Sequence, residues 1–323
     1  MTEPLRPMST GQVLDHTFAL YRRNFLLFVG IATVGPAASV LFQLFTVGAS
    51  VGSPFSASSR MASSAAIARF GLGMFFGYLV LLAGMAISHA ATVKAVAAVH
   101  LGRETSVVGA YRALRGRILS LFGTCGLILL WMVLWMILAV IAIVVLMIPL
   151  SIGIAAMSGG RAPGPVAAVS AVIVGVLTVV LVFAGFIAIY VRYALAVQAC
   201  VVEELGPRAS LKRSILLSKG SRWRIVAIYL VFLVLSIILG IGLNALSVGI
   251  GGWLHNRIAA AVLIYLAGFV AGSITGPLAT IGLSLLYYDE RVRKEAFDLQ
   301  LMMSSLDAAG VPGATPVPAP AQI

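Results

Sequence analysis

Long, uninterrupted apolar runs constrain the fold of this chain more than any other feature. A strand of a membrane barrel needs only about ten residues of alternating polarity, whereas these runs are longer and do not alternate. Roughly 20 apolar residues in a helix cross the hydrocarbon core of a bilayer. The runs therefore predict six membrane-spanning helices, at residues 25–47, 70–92, 119–148, 166–191, 225–247 and 258–286.

The composition agrees with an integral membrane protein. Of the 323 residues, 61% are hydrophobic and only 10% are charged. Ordinary soluble domains are about half apolar and about a quarter charged. We therefore predict an all-α fold, a six-helix transmembrane bundle over residues 25–305 whose last helix extends beyond the membrane. The segment 306–323 is rich in Pro and Ala and is predicted to be a disordered tail.

The placement of basic residues predicts the orientation of the bundle. When the ends and loops are assigned alternately to the two sides, all but four of the 22 Lys and Arg residues fall on one side. The exceptions are Arg60, Arg69, Arg161 and Arg257. Because cytoplasmic loops carry an excess of Lys and Arg, we expect both termini in the cytoplasm.

Three basic segments are predicted to form interfacial elbow helices. The first is the N-terminal segment 1–24, whose stretch "TGQVLDHTFALYRRN" is amphipathic at helical spacing, with Ser9 or Thr10 as its expected N-cap. Residues 106–117 and 210–222 show a weaker version of the pattern, and each is expected to start at a Ser cap and to end near a Gly. Each segment precedes a span, so the bundle is expected to lie against three elbows on its cytoplasmic side.

The second and third elbows also match each other in sequence without gaps. Residues 93–116 and 197–220 share a Val, a Leu-Gly pair, a Ser and a Gly at corresponding positions. This correspondence suggests three repeated units, each an elbow followed by two spans.

The elbows supply the candidate lipid contacts. A basic group near an anionic membrane surface is worth about 1 kcal/mol, so a cluster attracts acidic headgroups even without a pocket. No aromatic platform accompanies the charge, which disfavours a nucleic-acid partner. The candidate contacts are Arg22, Arg23, Arg115, Arg117, Lys212, Arg213, Lys219, Arg222 and Arg224.

The sixth span contains a stripe of small residues. Gly268, Gly272 and Gly276 recur every four residues, and Pro277 follows directly. The stripe is typical of close helix packing. The alternative is that the Gly and Pro residues form a hinge in a transport path.

Catalytic, metal and cofactor sites are not expected. The chain lacks a recognised catalytic motif, and its acidic pairs Glu203-Glu204 and Asp289-Glu290 are interpreted as solvated charge beside the membrane. Acidic and basic residues spaced i,i+4 over 289–295 predict that the sixth helix continues into the cytosol. His89, Lys94 and Arg192 lie near the cytoplasmic ends of spans. Only a cavity lined by these three and an acid would favour an enzyme.

Three stretches carry a family resemblance: "STGQVLDHTFALYRRNF", "LGPRASLKRSILLSKGSRWR" and "LLYYDERVRKEAFDLQ". Together they resemble the glycerophosphoryl diester phosphodiesterase membrane domain, a bacterial family of six-span proteins. The resemblance implies a multi-pass protein of the bacterial inner membrane, with a link to phospholipid metabolism. In some members a phosphodiesterase barrel follows, and none is expected after residue 300 here, so the resemblance implies no hydrolase activity.

The sequence leaves two hypotheses for the function. The first is a non-enzymatic inner-membrane protein that contacts anionic lipids or serves as a scaffold or assembly subunit for other membrane proteins. The alternative is a transporter or permease subunit for a lipid or a small apolar solute.

Overall fold

The computed structural model describes residues 8–51, 64–100, 102–157, 165–255 and 257–295. Every regular element in these ranges is an α-helix, which confirms the all-α prediction. Six stretches are long and apolar enough to cross a membrane: Phe25–Thr46, Ala68–His100, Ile118–Leu146, Val172–Val202, Arg222–Trp253 and Ala259–Glu295. The predicted tail at 306–323 lies outside the described residues.

The helices follow the expected order of elbows and spans. The helices are α1 (Thr10–Arg23), α2 (Phe25–Ala32), α3 (Val34–Val51), α4 (Ser64–His100), α5 (Val107–Arg112), α6 (Ile118–Met157), α7 (Pro165–Tyr193), α8 (Ala196–Val202), α9 (Pro207–Ser218), α10 (Arg222–Trp253) and α11 (Arg257–Glu295). The elbows α1, α5 and α9 each precede a span, and α8 continues the fourth span after a short break.

The first span is broken at Thr33, between α2 and α3. The Thr33 hydroxyl donates to the Gly30 carbonyl at 2.8 Å, which offers the backbone an alternative to continuing the helix. Pro36 lies in the first turn of α3, where its missing N–H leaves no helical hydrogen bond unmade. The break therefore follows from local sequence.

The elbows begin at different kinds of cap. Ser9 caps α1 in a capping box with Gln12, and Ser106 caps α5 by accepting from the Gly109 N–H at 3.0 Å. The prediction that the third elbow starts at a Ser cap, Ser210, is wrong. Helix α9 starts one turn earlier, with Gly206 as its N-cap and Pro207 as its first residue. Proline favours that position because its φ angle is already helical and its absent N–H is not needed there.

Two glycines end the second and third elbows in the same way. Gly116 and Gly220 both have φ of +92°, and each lies just before the next span. A residue with a Cβ atom rarely adopts this angle, so each position requires glycine. The shared geometry agrees with the sequence match between the two elbows.

We expect Gly220→Ala to lower the free energy of unfolding by about 1–2 kcal/mol, because alanine at positive φ is sterically strained. Thermal unfolding in detergent micelles measures the change. Gly11→Ala in α1 is the control, because that position has open space and an ordinary helical backbone. Equal stability of the two variants would contradict the prediction.

The protein core lies at one end of the bundle, which we call the basic end because the three elbows lie there. Its largest fully buried side chains are Tyr287, Phe28, Phe232, Ile31, Leu121, Leu195, Leu217, Ile225, Ile228, Ile281, Leu283 and Leu286. All of them belong to the elbows or to span residues near them. Toward the other end the spans expose large apolar side chains, as expected of surfaces that face lipid.

Candidate functional site

A cluster of three residues organises the basic end: Arg224 at the start of α10 and the acidic pair near the end of α11. Arg224 lies 2.7 Å from Asp289 Oδ2 and 2.7 Å from Glu290 Oε1. Asp289 and Glu290 are only 1% and 3% exposed. The interpretation of this pair as solvated charge is therefore wrong. Burial of two carboxylates requires a cation, and α10 supplies it.

The predicted pairs within α11 are confirmed, and they also bind the N-terminal segment. Arg293 lies 2.9 Å from Asp289, and Lys294 lies 3.0 Å from Glu290. The Met8 N–H donates to Asp289 Oδ1 at 2.6 Å, and the Met8 carbonyl accepts from both Arg224 and Arg293. The chain just before α1 is thus fastened to the end of the last span.

A second group of ion pairs centres on Glu203, at the end of α8. Its carboxylate accepts from Arg213 Nε at 2.8 Å and from the Tyr287 hydroxyl, and it lies 3.5 Å from Arg291. Arg213 also pairs with Glu295. Burial lowers the pKa of Arg213, but its hydrogen bonds to the two carboxylates outweigh that effect and raise the pKa above its ordinary value. The neighbouring Glu204 pairs with Arg117 and Lys94.

The candidate lipid contacts therefore fall into two groups. Arg117, Arg213 and Arg224 form ion pairs within the protein. The other six are exposed and have no acidic partner within 4 Å in the described part of the chain: Arg22, Arg23, Arg115, Lys212, Lys219 and Arg222. We call these six the basic surface.

Internal pairing removes most of the negative charge from the basic end. Of the acids that the structure describes, Glu203, Glu204, Asp289, Glu290 and Glu295 are ion-paired, although Glu204 is exposed, as Asp15 and Glu104 are. Further exposed Arg residues flank the basic surface: Arg103, Arg112, Arg192 and Arg208. The outward-facing charge is consequently strongly positive.

Large apolar side chains lie beside this charge, at the start of each odd-numbered span. Leu26, Leu119 and Trp223 are 82%, 87% and 84% exposed. Leu119 and Trp223 occupy matching positions after Gly116 and Gly220. The sequence match could have revealed them, because both follow the paired glycines by three residues. Each elbow thus presents cations together with a side chain suited to the membrane interface.

A cavity of about 690 Å³ lies within the bundle. Its walls come from the end of α2, the starts of α3, α6, α8 and α10, the second half of α4, the end of α7 and the middle of α11. One wall residue, Tyr229, is seven residues into α10, about 10 Å along that helix from its start. The cavity therefore lies within the membrane-spanning region, in the half nearer the basic end.

Polar side chains are a minority of the cavity wall, and some of them bond to backbone carbonyls. Thr92 and Thr275 donate to carbonyls of their own helices at 2.9 and 2.8 Å. His89 differs, because its Nδ1 atom lies 3.0 Å from the Thr280 hydroxyl on another helix. Neither Lys94 nor Arg192 lines the cavity, nor does any acid that the structure describes. The arrangement that would favour an enzyme is thus not formed by these residues.

The small-residue stripe of α11 packs closely at one of its three glycines. A Cβ atom on Gly272 would lie 3.0 Å from Pro36, whereas one on Gly268 or Gly276 would meet no described atom of another helix within 4 Å. Gly276 and Pro277 instead line the cavity, and α11 continues through them as one helix.

The α1 elbow supports α11 beside this proline. The Tyr21 hydroxyl donates to the Ile274 carbonyl at 2.7 Å. Burial raises the pKa of Tyr21 to about 12, so the hydroxyl stays protonated and remains a donor even well above neutral pH.

Comparisons of the chain with models of protein families, with curated proteins and with solved structures found no match. The resemblance to the glycerophosphoryl diester phosphodiesterase membrane domain stays a prediction. The chain is, by its own features, a polytopic membrane protein with six apolar spans.

Proposed function

We propose that this protein is a non-enzymatic lipid-interacting protein of the bacterial inner membrane, with its basic end and both termini in the cytoplasm. The observation that carries the proposal is the combination, at each of three elbows, of exposed cations with a strongly exposed apolar side chain. Anionic phospholipid headgroups are the ligands that match these chemistries. The family resemblance adds a link to phospholipid metabolism.

The internal ion pairs support this function because they keep negative charge away from the positively charged surface. If Glu203, Asp289 and Glu290 were exposed, they would repel acidic headgroups and cancel part of the attraction. Their pairing with Arg213 and Arg224 confines the negative charge to the interior. Six exposed cations, each worth about 1 kcal/mol near an anionic surface, can then enrich acidic lipids around the elbows.

Replacing the basic surface by glutamine is expected to abolish enrichment of anionic lipid around the protein. The measurement is mass spectrometry of lipids retained by protein purified in native nanodiscs, repeated in nanodiscs of defined phosphatidylcholine and phosphatidylglycerol content. The wild type should retain phosphatidylglycerol above its bulk fraction, and the variant should retain it at that fraction. The screening of charge by salt should weaken the wild-type enrichment.

In the control variant, each Arg of the basic surface is replaced by Lys and each Lys by Arg, so the charge is kept. This variant should retain anionic lipid as the wild type does. Accessibility of cysteines introduced near the elbows reports whether each variant keeps its topology. Unchanged lipid retention in the glutamine variant, with topology intact, would refute lipid contact at this surface. Retention of a specific protein in place of lipid would indicate a scaffold or assembly subunit instead.

A further inference from the structure

We infer that the intramembrane cavity is a binding site for an uncharged, long-chain molecule that carries a hydroxyl group. None of the six residues of the basic surface lines the cavity. This site therefore goes beyond the proposed function, and either proposal can fail without the other.

The size and lining of the cavity indicate an apolar ligand. A volume of about 690 Å³ lies within the range of pockets that enclose small organic ligands. Most of its wall is aliphatic or aromatic, from residues such as Leu79, Leu82, Phe122, Ile128 and Leu129. Such a wall gains most from contact with a hydrocarbon chain.

The absence of charge on the wall excludes an ionised ligand. No Asp, Glu, Lys or Arg that the structure describes lines the cavity. A carboxylate or phosphate group would lose its hydration there without gaining a counter-ion, which is strongly unfavourable. Free fatty acids and phospholipid headgroups therefore fit poorly, whereas neutral lipids do not meet this cost.

His89 supplies a fixed polar contact for the neutral head. The Nδ1 atom of the His89 ring is hydrogen-bonded to the Thr280 hydroxyl, and no described residue hydrogen-bonds to the Nε2 atom of that ring. If Thr280 donates to Nδ1, then Nε2 carries the proton and donates to the ligand. In the other tautomer Nε2 accepts. A hydroxyl group both donates and accepts, so it matches either tautomer.

The hydroxyls of Ser88, Thr92 and Thr275 on the wall are less available, because each donates to a backbone carbonyl. The Ser88 hydroxyl donates toward the Ile31 and Ala32 carbonyls, and Thr92 and Thr275 donate within their own helices. The pair of His89 and Thr280 joins α4 to α11 across the wall. A ligand that bonds to His89 thereby contacts both helices.

Photolabelling with two probes of equal chain length tests the site. The probes are diazirine derivatives of hexadecanol and of hexadecanoic acid, applied to the whole chain in nanodiscs at alkaline pH, where the acid stays ionised in the bilayer. Labelled residues are mapped by peptide mass spectrometry. Excess unlabelled hexadecanol separates saturable labelling of the cavity from labelling of the lipid-facing surface.

The alcohol is expected to label cavity residues saturably, with at least about tenfold preference over the acid, because only the acid must bury a charge. His89→Phe keeps an aromatic ring but removes the polar contact, and it should reduce saturable labelling by about tenfold. Equal labelling by the two probes, or no saturable labelling by the alcohol, would overturn the inference. So would wild-type labelling of His89→Phe.

A second variant fills the cavity with a larger side chain, and a matched control places the same side chain elsewhere in the same helix. Gly126 lines the cavity in α6, and a Cβ atom there meets nothing within 4 Å, so Gly126→Leu should fold and occupy the site. Gly153 lies in the same helix, is equally open and is distant from the cavity. Saturable labelling should be lost in Gly126→Leu and kept in Gly153→Leu. Equal labelling of both would place the ligand elsewhere and overturn the proposal.

Discussion

Arg224→Met is expected to lower the free energy of unfolding by about 3 kcal/mol. Removing one partner of a buried ion pair costs about 3–5 kcal/mol, because the other charge stays buried without compensation. Here Asp289 and Glu290 both lose a cation at 2.7 Å. The lower end applies because Arg293 and Lys294 still pair with them. Unfolding by heat or by sodium dodecyl sulfate, in identical micelles, measures the loss.

Arg222→Met is the matched control for this variant. Arg222 lies two residues earlier in the chain, is exposed and is not ion-paired with any described acid, so the change should stay within about 0.5 kcal/mol. Removing the acids as well, by Asp289→Asn and Glu290→Gln in the Arg224→Met background, should restore part of the stability. If Arg224→Met and Arg222→Met unfold alike, the buried cluster does not hold the basic end together.

Gly251→Leu is expected to destabilise the protein by about 1–3 kcal/mol, the cost of overpacking a close contact. A Cβ atom on Gly251 would lie 2.4 Å from the Cβ and 2.7 Å from the Cα of Ala260. Because one of these atoms is backbone, no change of side-chain rotamer relieves the clash. Helices α10 and α11 must separate instead. Thermal unfolding and cross-linking between introduced cysteines on the two helices report the effect.

Gly252→Leu controls for the gain in helix propensity and apolar area. Gly252 is the next residue of α10, and a Cβ atom there meets nothing within 4 Å. This variant should be as stable as the wild type or slightly more stable, because leucine favours a helix over glycine. Destabilisation of both variants by the same amount would argue against close packing at Gly251.

The spans and elbows were predictable because their signals are local. An apolar run long enough to cross a bilayer, a Ser N-cap and an i,i+4 pair such as Asp289–Arg293 each depend on residues close in sequence. The start of α9 was misplaced by one turn, although its signal was also local. Pro207 marks the first residue of that helix more strongly than Ser210 marks a cap.

The nine candidate lipid contacts include both exposed cations and cations that are ion-paired within the protein, because the sequence does not distinguish the two kinds. Arg222 and Arg224 are both arginines and lie two residues apart, but residues at that spacing point to different sides of a helix. Arg222 is exposed, whereas Arg224 contacts the acidic pair of α11. Only the packing of α10 against α11 distinguishes the two.

By itself, the sequence determined that this protein is a helical membrane protein with six spans and that basic elbows precede alternate spans. These properties follow from hydropathy, charge and capping, which are summed over neighbouring residues. The tertiary structure alone decided that Asp289 and Glu290 are buried against Arg224, and that His89 and Thr280 meet on the wall of a cavity. Those contacts join residues far apart in the chain, so they depend on how the helices pack and not on any local pattern.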